Sequence, residues 1–155
     1  MEYILLKGAS LWEYYSNSFL RTQHDIDILV KEVDLNKALN CVGSISEVEL
    51  TKKENYHTTI RFVSSAVPDI EIHTSTAPSW KFPLKNKDLF EKSRSREISG
   101  FTATVPSPDD ILMNSILHAA NHHLLTNIKW LWDIKNILNS NRHDLTFPDQ
   151  SRGYH

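Results

Sequence analysis

Asp25-Ile26-Asp27-Ile28-Leu29-Val30 alternates acid and aliphatic at its start and then becomes wholly apolar, the pattern of a buried strand with one functional end. Side chains on a strand point alternately to its two faces, so Asp25 and Asp27 share one face while Ile26 and Ile28 turn to the core. Two carboxylates held this close repel, and a divalent cation relieves the repulsion. Hard carboxylate oxygens suit Mg2+, which keeps further octahedral positions for water and phosphate oxygens. The alternation recurs in Asp69-Ile70-Glu71-Ile72-His73, which puts Asp69, Glu71 and His73 on one face of a second strand. If the two strands are neighbours, Glu71 joins the aspartates. The plainer reading is a pair of strands with solvated polar faces, common in antiparallel sheets.

Upstream, Tyr3 to Leu6 is a short apolar run of β character that ends at Gly8, and Ala9 to Tyr15 reads as a short helix. Backbone N–H groups at such a strand-to-helix turn can hold a phosphate. Downstream, Asp34 caps a helix that reaches Val42 and stops at Gly43. Three β-like runs follow, Ile45 to Leu50, His57 to Val63 and Ile70 to Thr74, with Pro68 barring an earlier start of the last. After a linker carrying Pro78, Pro83 and Gly100, and a last strand from Phe101 to Val105, the chain turns helical.

Ser107-Pro108-Asp109-Asp110 is a helix start, with a serine cap, proline in the first position and acids against the positive end of the dipole. That helix should run to about Leu124. A second, from about Asn127 to Asn139, carries Ile128, Leu131, Trp132, Ile134 and Leu138 as a broad apolar face suited to packing on its predecessor. The tail from Asn141 to His155 has no periodicity and is expected to be poorly ordered. The expectation is an α/β (α+β) chain: a small mixed sheet with flanking helices over residues 1–105, and a C-terminal helical hairpin over 106–155 packed on it.

At 155 residues the chain is one domain's worth, and 40% apolar with 23% charged residues is a globular composition. Its apolar stretches are far shorter than a spanning helix requires, and its first ten residues lack the basic start and apolar run of a signal peptide, so a cytoplasmic location is expected. Cys41 is the single cysteine, which excludes an internal disulfide and a thiolate zinc site. A net charge of −2 offers no general attraction to nucleic acid or anionic membrane. The basic run from Lys81 to Arg96 reads as a solvated face.

A Gly/Ser turn opening a helix, then an Asp-x-Asp strand, then a lone acid on a later strand resembles the nucleotidyltransferase superfamily, the fold of DNA polymerase beta. More closely, LLKGASL (5–11), RTQHDIDILV (21–30), IEIH (70–73) and ILHAANHHLLTNIKWLWDI (116–134), in this order and spacing, are similar to a family of uncharacterised nucleotidyltransferases. The resemblance spans about residues 4 to 135. It implies that Asp25, Asp27 and Glu71 are the catalytic carboxylates and hold Mg2+ (or Mn2+). It also implies that Gly8 and Ser10 hold triphosphate oxygens, that Lys7 and Arg21 neutralise phosphate charge, and that His73 contacts the nucleotide or supports the carboxylates. The competing use of Arg21 is an ion pair with Asp25 or Asp27. Gly8-Ala9 stands where the superfamily often has Gly-Ser or Gly-Gly, which leaves Ser10 to supply any hydroxyl one position later.

The implied activity is metal-dependent transfer of a nucleoside monophosphate from an NTP such as ATP to an acceptor hydroxyl, with release of pyrophosphate. No motif specifies the acceptor, whether protein, small molecule or RNA end. The Gly8-Ala9 pair and the short chain favour a competing reading, a module that keeps the fold and binds a nucleotide or a partner protein without turnover, such as one half of a toxin–antitoxin pair. His118 and His122, at i and i+4 on one helix, lack the companions of a metal motif and read as core or interface residues. Trp130 and Trp132 read as packing residues.

Overall fold

The computed structural model describes residues 1–16, 21, 23, 25–45, 48–53, 57–62, 68–76, 86–98, 100–122 and 128–140. Strand β1 (Tyr3–Leu6) leads through a four-residue helical turn, α1 (Lys7–Ser10), and a 3-10 turn (Trp12–Tyr14) to β2 (Asp25–Val30). A second 3-10 turn (Glu32–Asp34) opens helix α2 (Leu35–Gly43), followed by β3 (Val48–Lys53), β4 (His57–Phe62) and β5 (Asp69–His73). Helix α3 (Asn86–Lys92), the hairpin of β6 (Arg94–Ile98) and β7 (Phe101–Val105), and helices α4 (Pro108–His122) and α5 (Ile128–Ser140) complete the chain. This is the mixed sheet with flanking helices read from the sequence.

The main sheet has the order β1-β2-β5-β4-β3, and β6-β7 forms a separate ribbon. All pairings in the main sheet are antiparallel except β2 with β5, which run parallel with Asp27 opposite Glu71 and Asp25 opposite Asp69. The period-2 alternation sorts the side chains onto two faces. Val30, Ile70, Ile72 and Ile60 pack with Ala38 and Val42 of α2, and Ile26 and Ile28 lie against that cluster. On the opposite face Leu29 packs with Ile4, Leu6 and Leu89 of α3. The acids of β2 and β5 share this second face. A third cluster, Leu11, Ile111 and Ile137, fastens the segment after α1 to α4 and α5.

Several boundaries differ from the sequence reading. No continuous helix runs from Ala9 to Tyr15: Lys7 has a positive φ of 39° and Gly8 lies outside helical geometry, so the chain turns sharply and then tightens into 3-10 form. The first of the three expected strands starts at Val48 rather than Ile45, because residues 44 and 45 close the end of α2. The basic run folds in part as α3 and β6, whose pairing partner β7 was anticipated.

The start of α4 is as expected. Ser107 Oγ accepts from the Asp110 N–H at 3.2 Å and donates to the Asp110 carboxylate at 2.6 Å. Helix α5 is rotated from the expected face. Ile128, Leu131, Trp132 and Leu138 are exposed, with Lys135 Nζ 4.2 Å from the centre of the Trp132 ring, while Asp133 and Ile137 are buried. Among the described residues no helix is long and apolar enough to cross a membrane. The tail after Ser140, the end of the expected first hairpin helix at residues 123–127 and the linker prolines 78 and 83 lie outside the described residues.

Candidate active site

Strand β2 presents Asp25 and Asp27, and the neighbouring β5 presents Glu71 and His73, on the sheet face away from α2. Asp27 is only 3% exposed and is the centre of the arrangement. Its Oδ1 accepts from Lys7 Nζ at 2.7 Å and from His73 Nε2 at 2.8 Å. Glu71 Oε2 lies 3.4 Å from the same His73 nitrogen, and Thr59 of β4 donates to Glu71 Oε1 at 3.5 Å. The ring of His57 stands 5.3 Å from that of His73. His73 Nδ1 is buried without a hydrogen-bond partner among the described residues.

The electrostatics separate the carboxylates. Burial pushes Asp27 up, but the hydrogen bond from His73 and the charge of Lys7 outweigh it and hold the carboxyl down at about 2. Glu71 is lowered chiefly by the His73 hydrogen bond, against burial. Burial opposes protonation of His73, yet its bonds to Asp27 and Glu71 win and raise its pKa. Asp25 goes the other way: burial, then the charges of Asp27 and Glu71, raise its pKa above the ordinary value. Its charged form is therefore the one under strain.

The ligand atoms of Asp27, Glu71 and His73 lie within 4.8 Å of one another, and Asp25 stands on the same face outside that tight set. Hard carboxylate oxygens with one imidazole are a donor set that a divalent cation fits.

The turn that follows β1 abuts these acids, since Leu6 pairs with Asp27. Gly8, Ala9 and Ser10 are all buried there. A Cβ on Gly8 would stand 2.4 Å from Gln23 Oε1, so glycine makes room for that amide, whose oxygen has no hydrogen-bond partner among the described residues. Ser10 Oγ donates to the Lys7 carbonyl at 2.7 Å and closes the turn. Lys7, Ser10 and, from α4, Asn114 and Ser115 line a small cleft beside it.

Arg21 forms an ion pair with an acid of α5. Its Nε and Nη2 donate to Asp133 Oδ1 and Oδ2 at 2.9 and 3.1 Å, with the guanidinium 4% exposed and Asp133 wholly buried. The Tyr15 hydroxyl also bonds to Asp133, Trp12 Nε1 donates to the Arg21 carbonyl at 3.3 Å, and the guanidinium stands 5.5 Å from the centre of the Trp130 ring. His118 packs edge-on to Trp130 at 4.3 Å, the packing role read for both; the His122 side chain lies outside the description. Sequence reasoning missed Gln23 and Thr59. It also missed the role of Asp133, which lies opposite the apolar face read from the sequence.

Residues 1–151 match the model of a family described as an uncharacterised nucleotidyltransferase. Among solved structures, the antibiotic-resistance factor ANT(2'')-Ia is similar at a TM-score of 0.64 and 10% identity, over 89% of this chain and 74% of that one. The lincosamide antibiotic adenylyltransferase LnuA, solved with lincomycin bound, is similar at 0.57 and 14%, over 88% and 85%. An antigenic nucleotidyltransferase-like protein from Paracoccidioides brasiliensis is similar at 0.56 and 15%, over 90% and 68%. At these identities the likeness is one of fold. No curated protein matches in sequence.

Proposed function

Because the chain belongs to the uncharacterised nucleotidyltransferase family, we propose that it transfers a nucleoside monophosphate from an NTP to an acceptor hydroxyl and releases pyrophosphate. The observation that carries this is the parallel register of β2 and β5, which sets Glu71 opposite Asp27 with Asp25 on the same face. Asp25, Asp27 and Glu71 would hold Mg2+ or Mn2+, with His73 in the tight set beside Asp27 and Glu71 and Asp25 joining from the same face. The bound ion supplies Lewis acidity at the phosphate oxygens and offsets the negative charge of the leaving pyrophosphate.

The residues of the chain do the rest. Glu71 is the carboxylate that accepts the proton of the attacking hydroxyl as its oxygen bonds to the α phosphorus and the bridging oxygen departs with pyrophosphate. His73 keeps Glu71 and Asp27 ionised and oriented. The turn at Gly8 and Ser10 approaches the triphosphate, with Lys7 as its cation; Arg21 is committed to Asp133 instead of phosphate. The two antibiotic-modifying neighbours support ATP as the nucleotide and a small hydroxylated molecule as the first acceptor class to test.

The test is calorimetric titration with each NTP, with and without Mg2+, beside the Asp25→Asn/Asp27→Asn double variant. Metal-dependent binding that the variant loses is the expected result. A wild type that binds no NTP under either condition overturns the proposal.

A further inference from the structure

His73 stands two positions beyond Glu71 on β5, on the same face of the sheet, and the parallel register with β2 brings its ring within reach of Asp27. The residue is only 3% exposed. Its Nε2 lies 2.8 Å from Asp27 Oδ1 and 3.4 Å from Glu71 Oε2, while Nδ1 is buried with no hydrogen-bond partner among the described residues. Separations of this size are those of neighbouring ligands around one ion, since bonds of about 2.1 Å at right angles set adjacent donor atoms about 3.0 Å apart. All three donor atoms lie within 4.8 Å of one another. An ionised Asp27 can only accept, so Nε2 carries the hydrogen between them in the metal-free protein. An ion can take the place of that hydrogen. The hydrogen then leaves for water or moves to the partnerless Nδ1, and Asp27 Oδ1 keeps its second lone pair for Lys7 Nζ at 2.7 Å.

The mixed donor set discriminates between ions. Mg2+ is served by oxygen donors and keeps several of its waters, so an imidazole nitrogen offers it little. First-row transition ions, Mn2+ among them, accept nitrogen and carboxylate oxygen together. Burial adds to this preference, because a ring enclosed between β4 and β2 holds its nitrogen beside the two carboxylates before any ion arrives.

We infer that His73 is a direct ligand, through Nε2, of a divalent transition-metal ion shared with Asp27 and Glu71, and that this nitrogen makes the centre prefer Mn2+ to Mg2+. The inference rests on the nucleotidyltransferase reading above, in which the carboxylates hold an ion, and it names the ion.

The experiment titrates the protein with Mn2+ alone and with Mg2+ alone by calorimetry, beside His73→Gln, and records pulsed EPR spectra of the bound Mn2+. Wild type is expected to bind Mn2+ at least about tenfold more tightly than Mg2+ and to show the nitrogen coupling of a coordinated imidazole. His73→Gln is expected to lose that coupling and to weaken Mn2+ about tenfold or more, with Mg2+ affinity little changed. The wild-type spectrum decides even where the variant folds poorly: bound Mn2+ without nitrogen coupling overturns the inference and leaves the carboxylate centre of the nucleotidyltransferase reading standing. Coupling that survives in His73→Gln, or equal affinity of the wild type for the two ions, overturns it as well. If neither ion binds the protein alone the inference also falls, and the NTP titration above judges the nucleotidyltransferase reading by itself.

Discussion

Asp25 and Asp27 are two positions apart and chemically identical, yet the fold treats them oppositely. Asp27 is stabilised as an anion by His73 and Lys7, and its pKa of about 2 against an ordinary 3.8 corresponds to about 2 kcal/mol at neutral pH. That stability is present above the unfolded value of 3.8 and is lost as the pH falls through about 2. Asp27→Asn is therefore expected to lower the metal-free stability at neutral pH by about 2 kcal/mol in urea unfolding. Asp25 is raised, so its ionisation costs stability, which begins to be lost as the pH rises past the ordinary 3.8 and is fully lost above its folded value. Asp25→Asn is expected to raise the metal-free melting temperature at neutral pH, with the gain shrinking as the pH falls, and to abolish metal-dependent nucleotide binding. A lowered melting temperature in Asp25→Asn would show that its carboxylate is structurally satisfied. This residue-level pattern was half legible in the sequence. Alternation placed Asp25, Asp27, Glu71 and His73 on one face, but nothing local announces that Lys7, twenty positions earlier, reaches Asp27.

At the scale of elements, the sharpest departure from the sequence is the orientation of α5. Counting apolar residues favours Ile128, Leu131, Trp132 and Leu138 as the packed face, and the helix instead buries Asp133 and exposes those four. Its orientation is set by a contact 112 residues away in sequence, the Arg21 pair, and a composition-based reading has no access to that. The sequence did carry the cap of α4 and the alternation of β2 and β5, because caps and pleats are local; α3 and β6 hid inside a charge-rich stretch where solubility and structure look alike. Removing one partner of a buried ion pair leaves the other uncompensated, at a cost of about 3–5 kcal/mol, whereas apolar replacement of both is often near neutral. Asp133→Leu is accordingly expected to destabilise by that amount, and Arg21→Met/Asp133→Leu to recover much of it. If the double variant is no better than the single, Tyr15 rather than Arg21 is the partner that matters.

For the whole molecule, the helical part after residue 105 was expected to pack on the sheet-bearing part, and specific contacts join elements of the two. Leu11 packs on Ile111 and Ile137, and Arg21 pairs with Asp133 of α5. A chain ending at Pro106 is expected to lose cooperative thermal unfolding, as followed by circular dichroism, because it exposes that cluster and strands a buried guanidinium. A single sharp transition in the truncated chain would establish the first part as a domain in its own right. The order of the sheet has a temporal consequence as well. β2 and β5 run parallel and lie side by side, yet β3 and β4 come between them along the chain, so the acids meet only through closure of a long loop. During synthesis, a chain that has emerged only as far as β4 holds Asp25 and Asp27 without Glu71 or His73. A ribosome-bound nascent chain thus acquires the full set of four residues only after residue 73 has cleared the tunnel.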